Sequence, residues 1–400
     1  MRACESQGIP MFKEISELRH IANFSRVIMP ISVAFFVYTF GWGVTSPMFS
    51  IYVNGVTGNS FLTGLILSLT TMGGIFLNIP FGILEGRLNI KRVLQLVLLA
   101  YAALALLYPV ANTFQALLLV SAVRGIASSF LWLSSWAYVF AYTDRAVKGK
   151  ETGFFSEMND LASALSPVVG GLVSIVSFYL PFYVLSLTSL TAFAMVTVLV
   201  KESPKPQSSP LMAQLRRLSA YMRSSRFMKT VLLIVIFYAL INVYYSFISI
   251  FLSEEGVSVT LIGIVLTVAL LPAVGLEVPM GNLMDHVGIR KTLLLATAST
   301  TITGLLLPLS NDIIYVFAVV MAFTVSYTAI FVALYSRMSD VMREDKVAMT
   351  GAIATFKDLG YTVGPLAAGL LTEAVGIRNT FFIVGAAFAL LLPMAARLHD

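Results

Sequence analysis

The chain has 400 residues, of which 58% are hydrophobic and 12% are charged, and its mean hydropathy is +0.87. Soluble globular domains carry about 25% charged residues, so this composition excludes that class. The net charge of +6 would also suit a nucleic-acid-binding protein, but the cytoplasmic loops of membrane proteins concentrate Lys and Arg as well.

Apolar segments recur along the whole chain. A helix needs about 20 apolar residues to cross the hydrocarbon core of a bilayer. The sequence therefore predicts an all-α membrane protein with twelve transmembrane helices. The predicted spans are 28–52, 61–82, 93–110, 114–138, 153–176, 180–200, 229–252, 261–283, 292–309, 313–335, 350–373 and 379–396.

The basic residues indicate how these spans are oriented. All but three of the 26 Lys and Arg residues lie in the tails and in the loops of one side. The exceptions are Arg124 and Lys357 within spans and Arg378 in the last outer loop. We therefore expect a multi-pass protein of the cell (plasma) membrane with both termini cytoplasmic, and no nucleic-acid partner.

The N-terminal tail, residues 1–27, is polar and mixed in charge, so we expect no cleavable signal peptide. Both Met1 and Met11 are possible translation starts. Apolar residues in the tail recur at helical spacing, which predicts a short helix on the inner leaflet. These residues are Phe12, Ile15, Leu18 and Ile21.

The two halves of the chain repeat one another. Residues 62–96 match 261–295 at an offset of 199, and residues 152–172 match 350–370 at an offset of 198. The repeat predicts two pseudo-symmetric six-helix bundles, 28–200 and 229–396. In a membrane chain, such bundles rock around a site between them, which is the design of a secondary transporter.

A linker, residues 201–228, separates the two halves, and a short cytoplasmic tail, residues 397–400, follows the second half. It opens with KESPKPQSSP, whose Pro and Ser residues break a helix. The rest predicts an amphipathic helix at the cytoplasmic surface, serving as an anchor or as a regulatory helix. Its apolar stripe consists of Leu211, Leu215, Leu218 and Met222.

The loops after spans 2 and 8 read PFGILEGRLNIKR and PMGNLMDHVGIRK. They resemble the signature Gly-x-Leu-x-Asp-Arg-x-Gly-Arg-Arg/Lys of the major facilitator superfamily. The resemblance covers essentially the whole chain and implies a loop that latches the bundles on the cytoplasmic side. The N-terminal copy departs from the signature, with Gly86 in place of Asp and Glu85 beside it. The implied gate residues are Gly82, Glu85, Arg87, Gly281, Asp285, Gly288, Arg290 and Lys291.

Spans 5 and 11 carry a second repeated motif, LSPVVGG and VGPLAAG. Proline kinks a helix, and neighbouring small residues permit close packing, so a purely structural kink remains an alternative. Exporters of the same family often carry Gly-Pro-x-x-Gly-Gly in span 5, and the resemblance favours an antiporter. The motif residues are Pro167, Gly170, Gly171, Gly364, Pro365 and Gly369.

Ionisable residues within spans are costly and are therefore candidates for a substrate and ion pathway. Arg124 lies near the middle of span 4, where the family has an Arg motif. We expect it to neutralise a proton-exchanging acid or to bind an anionic substrate, with a structural hydrogen bond as the alternative. The other candidates, either proton carriers or gate residues, are Glu157, Asp160, Glu277, Lys357 and Asp358.

Tyr38 and Asn242 lie well within spans that line the cavity in the family that the chain resembles. With Tyr245 they are the cavity candidates, and an aromatic-lined cavity would suit amphipathic organic molecules. Trp132 and Trp136 share a face of span 4 and suit either an interfacial belt or ligand stacking.

These features predict a proton-coupled exporter of small organic molecules, acting as a monomer by alternating access. An uptake carrier for an organic anion is the alternative, whereas a membrane receptor or enzyme would need features that the sequence lacks. We expect no cofactor and no metal site, because Cys4 is alone and the three His residues are scattered. The chain has no Walker-type loop, so the energy source is expected to be a proton gradient.

Overall fold

A computed structural model describes residues 10–84, 88–143, 148–202, 219–341 and 346–397. Within these ranges, the side chains of 10–26, 78–84, 148–150, 273, 278 and 346–353 are not described. No strand occurs in the described part, which is helical apart from short connections. The long helices are α1 (Pro10–Thr57), α2 (Ser60–Leu84), α3 (Ile90–Leu107), α4 (Phe114–Tyr142), α5 (Lys148–Val176), α6 (Leu180–Leu199), α7 (Ser225–Glu254), α8 (Val259–Val287), α9 (Ile289–Leu306), α10 (Ile313–Val341), α11 (Lys346–Val375) and α12 (Ile377–Ala396).

The helix bounds reproduce the sequence repeat. Helices α3 and α9 each have 18 residues and begin 199 positions apart. Each continues into a three-residue 3-10 turn with a central proline, Tyr108–Val110 and Leu307–Leu309. Helices α4 and α10 each have 29 residues at the same offset. Residues 199 positions apart in these helices are therefore structural counterparts.

The same helix pairs pack together in each half. In the N-terminal half α1 packs on α5, α2 on α4, and α3 on α4 and α6. In the C-terminal half α7 packs on α11, α8 on α10, and α9 on α10 and α12. The two halves meet mainly where α2 contacts α11 and where α5 contacts α8. This arrangement confirms the predicted pair of six-helix bundles.

The helices carry apolar side chains on their outer faces as well as in the core. Among the described residues, eleven helices are long and apolar enough to cross a membrane. Helix α11, which carries Lys357 and Asp358, is not among the eleven, although it packs alongside α2 and α7. Exposed apolar side chains suit contact with lipid tails rather than with water. They include Phe76, Leu96, Ile175, Val198 and Ile314.

Helix α1 differs from the prediction of a separate surface helix followed by a span. It runs without interruption from Pro10 to Thr57, because the polar residues between Ile21 and Ile28 include no Gly or Pro that would end a helix. Most of the predicted linker helix lies outside the described residues. Only its end is described, as a short helical stretch at 219–222.

Candidate substrate and ion pathway

The two bundles touch at what we call the outer end, where the connections 58–59, 111–113, 177–179, 255–258, 310–312 and 376 lie. The sequence predicts that this end is extracellular. At the junction of α2 with α11, a Cβ atom on Gly64 would lie 3.1 Å from the Cα atom of Gly369, and it would overlap the carbonyl oxygen of Pro365. Only glycine permits this approach of the two backbones.

The junction of α5 with α8 repeats this geometry. A Cβ atom on Gly263 would lie 3.1 Å from the Cα atom of Gly171 and would overlap the carbonyl oxygen of Pro167. The hydroxyl of Thr260 donates to the carbonyl oxygen of Gly171 at 3.1 Å. Each outer junction therefore joins a glycine in the first turns of one helix to the carbonyl of a kink proline in the other bundle.

Each kink proline leaves one carbonyl oxygen without its helical N–H partner, four residues earlier in the chain. For Pro167 this is the carbonyl of Ser163, and the hydroxyl of Ser166 donates to it at 3.3 Å. Opposite Ser166, helix α1 has Gly43, where a Cβ atom would lie 2.8 Å from the Cβ atom of Ser166. The glycine makes room for the serine that satisfies the freed carbonyl.

In the C-terminal bundle, the donor to the freed carbonyl lies on the neighbouring helix and the glycine lies on the kinked helix. The carbonyl freed by Pro365 belongs to Tyr361, and the side-chain amide of Asn242 on α7 donates to it at 2.6 Å. Gly364 lies opposite, where a Cβ atom would come within 3.3 Å of the Cβ atom of Asn242. Asn242, a predicted cavity residue, thus has its amide engaged with the kinked helix.

Three carboxylates from the two bundles lie near one another towards the inner end. Glu157 and Asp160 on α5 and Glu277 on α8 are exposed, and both α5 carboxylates interact electrostatically with Glu277. Among the described residues, no group of His, Cys, Asp or Glu is arranged to hold a metal ion. What the three residues have in common is that they bring exposed carboxylates from both bundles to one place.

Lys357 and Asp358 of α11 face the opposite bundle. The ammonium group of Lys357 lies 5.9 Å from the ring centre of Tyr361, and Asp160 is among its electrostatic neighbours. The carboxylate of Asp358 contacts α2, where a Cβ atom on Gly74 would come within 2.9 Å of its Cγ atom. The predicted candidates Glu157, Asp160, Glu277, Lys357 and Asp358 are thereby brought to one interface.

A group of tyrosines forms the wall of the C-terminal bundle beside these charges. The hydroxyls of Tyr245 and Tyr327 are 2.5 Å apart, and the hydroxyl of Tyr238 donates to that of Tyr335 at 3.2 Å. Sequence reasoning singled out Tyr245 but not Tyr238, Tyr335 or Tyr361, which lie in the same group of tyrosines. Tyr238 and Tyr245 are seven residues apart on α7, and this spacing, which returns to the same helix face, is the available signal.

Arg124 lies apart from this interface, inside the N-terminal bundle, with 5% of its surface exposed. Its guanidinium group lies 4.0 Å from the ring centre of Trp42 and 4.7 Å from that of Phe49. It also donates to the hydroxyl of Tyr108 at 3.4 Å. Over the described part of the chain, no carboxylate forms an ion pair with Arg124, so aromatic faces hold this buried cation.

Three other aromatic candidates also lie within the N-terminal bundle. Tyr38 is 2% exposed, and its ring centre is 5.0 Å from that of Tyr101. The rings of Trp132 and Trp136 contact Phe35 and Phe155, respectively. The structure thus brings Tyr245 to the interface but places Tyr38 in the core.

The predicted gate motif is described only in its C-terminal copy. Gly288 has φ of +91° and forms the N-cap of α9, which explains why the turn needs glycine. Asp285, Arg290 and Lys291 are exposed, and Gly281 lies within α8 with open space beside it. Glu85 and Arg87 lie outside the described residues, and the surroundings of Gly82 are not described.

The sequence matches the Major Facilitator Superfamily over residues 31–255 and 230–399. It is 21% identical over 363 residues to the quinolone resistance protein NorA of Staphylococcus aureus (strain COL), and this match covers 88% of the present chain and 92% of NorA. It is also 26% identical over 131 residues to YuxJ of Bacillus subtilis (strain 168), an uncharacterized MFS-type transporter. That match covers 32% of the present chain and 33% of YuxJ.

Solved structures show the same fold. The inward-facing, unoccupied form of a bacterial homolog of the human lysosomal transporter Spinster superposes with a TM-score of 0.77 at 13% identity, covering 93% of this chain and 96% of that one. The nucleoside transporter NupG gives 0.77 at 12% identity, covering 93% and 99%. The human organic anion transporter MFSD10 gives 0.65 at 15% identity, covering 92% and 99%.

Proposed function

The chain belongs to the Major Facilitator Superfamily, whose members are membrane transporters and not enzymes, and we propose that it exports small aromatic organic compounds in exchange for protons. The compound binds between the bundles, and rocking opens the site to each side in turn. We propose that it works as a monomer in the cell membrane, with both termini in the cytoplasm. The likeness to NorA, a quinolone resistance protein, supports the export of drug-like compounds.

The observation that carries this proposal is the meeting of carboxylates and tyrosines between the bundles. Glu157, Asp160 and Glu277 bring carboxylates from both bundles to one place, and carboxylates within spans are groups that can take up and release protons. Tyr327 has both Glu277 and Asp160 as electrostatic neighbours. A cationic aromatic compound would bind the tyrosine faces and compete with protons for these carboxylates.

The alternative is uptake of an organic anion, and Lys357 is the residue that supports it. Its ammonium group lies beside Tyr361 at the bundle interface, whereas Arg124 is enclosed by aromatic rings. An anion would pair with Lys357 and stack on the tyrosines. Lys357 rather than Arg124 is therefore the residue to test for anion binding.

The test is transport by purified protein in proteoliposomes under an imposed pH gradient. The probes are trimethylphenylammonium as an aromatic cation and benzoate as an aromatic anion. We expect the pH gradient to drive the cation against its own concentration gradient, and we expect a protonophore to abolish this transport. Glu277→Gln and Asp358→Asn should weaken the pH dependence, whereas Glu254→Gln at the outer end serves as the matched control.

Two outcomes would contradict the proposal. Cation movement that ignores the gradient in the unmodified protein would exclude proton coupling. Gradient-driven uptake of benzoate that is lost in Lys357→Gln would establish the alternative.

A further inference from the structure

The C-terminal bundle contains a cavity of about 30 Å³ between α7, α8, α10 and the 3-10 turn that follows α9. Its wall is formed almost entirely by carbon atoms, from Ile248, Leu307, Phe323 and other apolar side chains. A volume of this kind holds roughly two water-sized spheres, but an apolar cavity of this size stays dry. An empty apolar space is costly, because the atoms around it lose dispersion contacts.

The internal repeat shows which residues stand at the corresponding place in the N-terminal bundle. Ile248, Leu307 and Phe323 lie 199 positions after Phe49, Tyr108 and Arg124, which pack together in the N-terminal bundle. Ile248 and Leu307 are smaller than the two rings at the corresponding N-terminal positions. Tyr245 and Tyr327, in contrast, are larger than their counterparts Ser46 and Ser128.

The cavity lies beside the interface that we propose for transport. Tyr245 and Tyr327 form part of its wall, and the hydroxyls of this pair are hydrogen-bonded to each other. Tyr327 also has Glu277 and Asp160 as electrostatic neighbours, so this pair borders both the cavity and the interface that carries those carboxylates. The polar atoms in the wall have partners, since Thr324 donates to the carbonyl oxygen of Ala269 at 2.8 Å. They therefore require no water or polar ligand.

We propose that this cavity is a subsite for one small apolar substituent of the transported compound, about the size of an ethyl group or a halogen atom. The substituent enters between Tyr245 and Tyr327 while the aromatic ring that bears it stays among the tyrosines of the pathway. The proposal rests on the proposed function, because it names the part of the substrate that distinguishes one aromatic compound from another.

The experiment compares equilibrium binding of trimethylphenylammonium and its 4-ethyl derivative to the purified protein in nanodiscs. We expect the ethyl compound to bind about tenfold more tightly, because two additional CH₂-sized groups are buried. Two substitutions, Val320→Phe and Ala269→Leu, fill the cavity from different helices and should reduce this ratio to about one. Ala395→Leu is the control, because it adds the same atoms among Leu233, Leu293 and Leu391, and it should retain the ratio.

Equal affinities of the two compounds for the unmodified protein would overturn the subsite, as would a ratio that persists in both filled variants. Gradient-driven transport of the parent compound is measured in parallel and reports on the proposed function alone. A selective ratio without transport would leave the subsite standing and refute the exporter. A protein that binds neither compound would refute both.

Discussion

The side-chain amide of Asn242 donates to the carbonyl oxygen of Tyr361, which is the one that Pro365 leaves without a helical partner. Its counterpart in the other bundle is the hydroxyl of Ser166, which donates to the carbonyl oxygen of Ser163. The donor comes from the neighbouring helix in one bundle and from the kinked helix itself in the other. In each bundle the residue that faces the donor side chain is a glycine, because a larger side chain there would collide with it.

Substituting Asn242→Asp keeps the shape of the side chain but removes the donor. We expect the free energy of unfolding to fall by about 1–3 kcal/mol, because a partly buried carbonyl loses its partner and faces a carboxylate. Denaturant-induced unfolding in mixed micelles measures this change. Asn379→Asp is the control, since the amide of Asn379 is exposed and water can replace its bond to the carbonyl oxygen of Val375. Equal effects at the two positions would contradict the role given to Asn242.

Adding a methyl group at either outer junction should favour separation of the bundles at that end. In Gly64→Ala and Gly263→Ala, the new Cβ atom overlaps a carbonyl oxygen of the other bundle. We expect the population with separated outer ends to rise at least about tenfold, because backbone atoms cannot move aside as a flexible side chain can. Distances between spin labels at Asn59 and Val375 report this separation.

The control for the junction experiment is Gly275→Ala. Gly275 lies on α8 like Gly263, but a Cβ atom there would have open space around it. The distance distribution should stay as in the unmodified protein. A similar shift in all three variants would mean that helix propensity rather than contact between the bundles is responsible.

The interaction of Arg124 with Trp42 should appear as a coupling free energy of about 1–2 kcal/mol, because the cation is desolvated over the ring. The measurement is a double-mutant cycle of unfolding with Arg124→Met and Trp42→Leu. A second cycle, with Trp132→Leu in place of Trp42→Leu, should give a coupling near zero, since the ring of Trp132 packs on Phe35 instead. A negligible coupling in the first cycle would show that the ring does not hold the cation.

The ion pair of Arg378 with Glu255 should matter little despite its short distance of 2.5 Å. Arg378 is 47% exposed, and exposed pairs typically contribute about 0–1 kcal/mol. We expect Arg378→Ala to change the free energy of unfolding by less than about 1 kcal/mol, and the change should shrink further at high salt. A loss above about 2 kcal/mol would show that this pair organises the outer loops.

Hydropathy and the internal repeat predicted the fold well, because both depend on local sequence. The 199-residue offset reappears in the bounds of α3, α9, α4 and α10. The kink prolines were also predictable, since proline removes an N–H wherever it stands in a helix. The continuity of α1 was harder to predict, because polar residues near a membrane surface are compatible with either a break or a continuing helix.

The surroundings of individual side chains were not predictable to the same degree. A cation such as Arg124 within a span needs a partner, but the sequence does not say whether a carboxylate or an aromatic ring faces it. Tyr38 and Asn242 both lie on helices that the family uses for its cavity. The direction in which each of these two side chains points depends on how its helix is rotated against the neighbouring helices. That rotation follows from packing between distant segments of the chain.

The outer junctions have a thermodynamic consequence. Gly64, Gly171, Gly263 and Gly369 bring backbones together without apolar side chains of their own. Separating the junctions therefore exposes little additional apolar surface at these points. Because the heat-capacity change of a transition follows the apolar area exposed, these contacts should contribute little curvature to its free energy as temperature varies. At these points the free-energy difference between closed and open outer ends should then vary almost linearly with temperature between a cold and a warm cell.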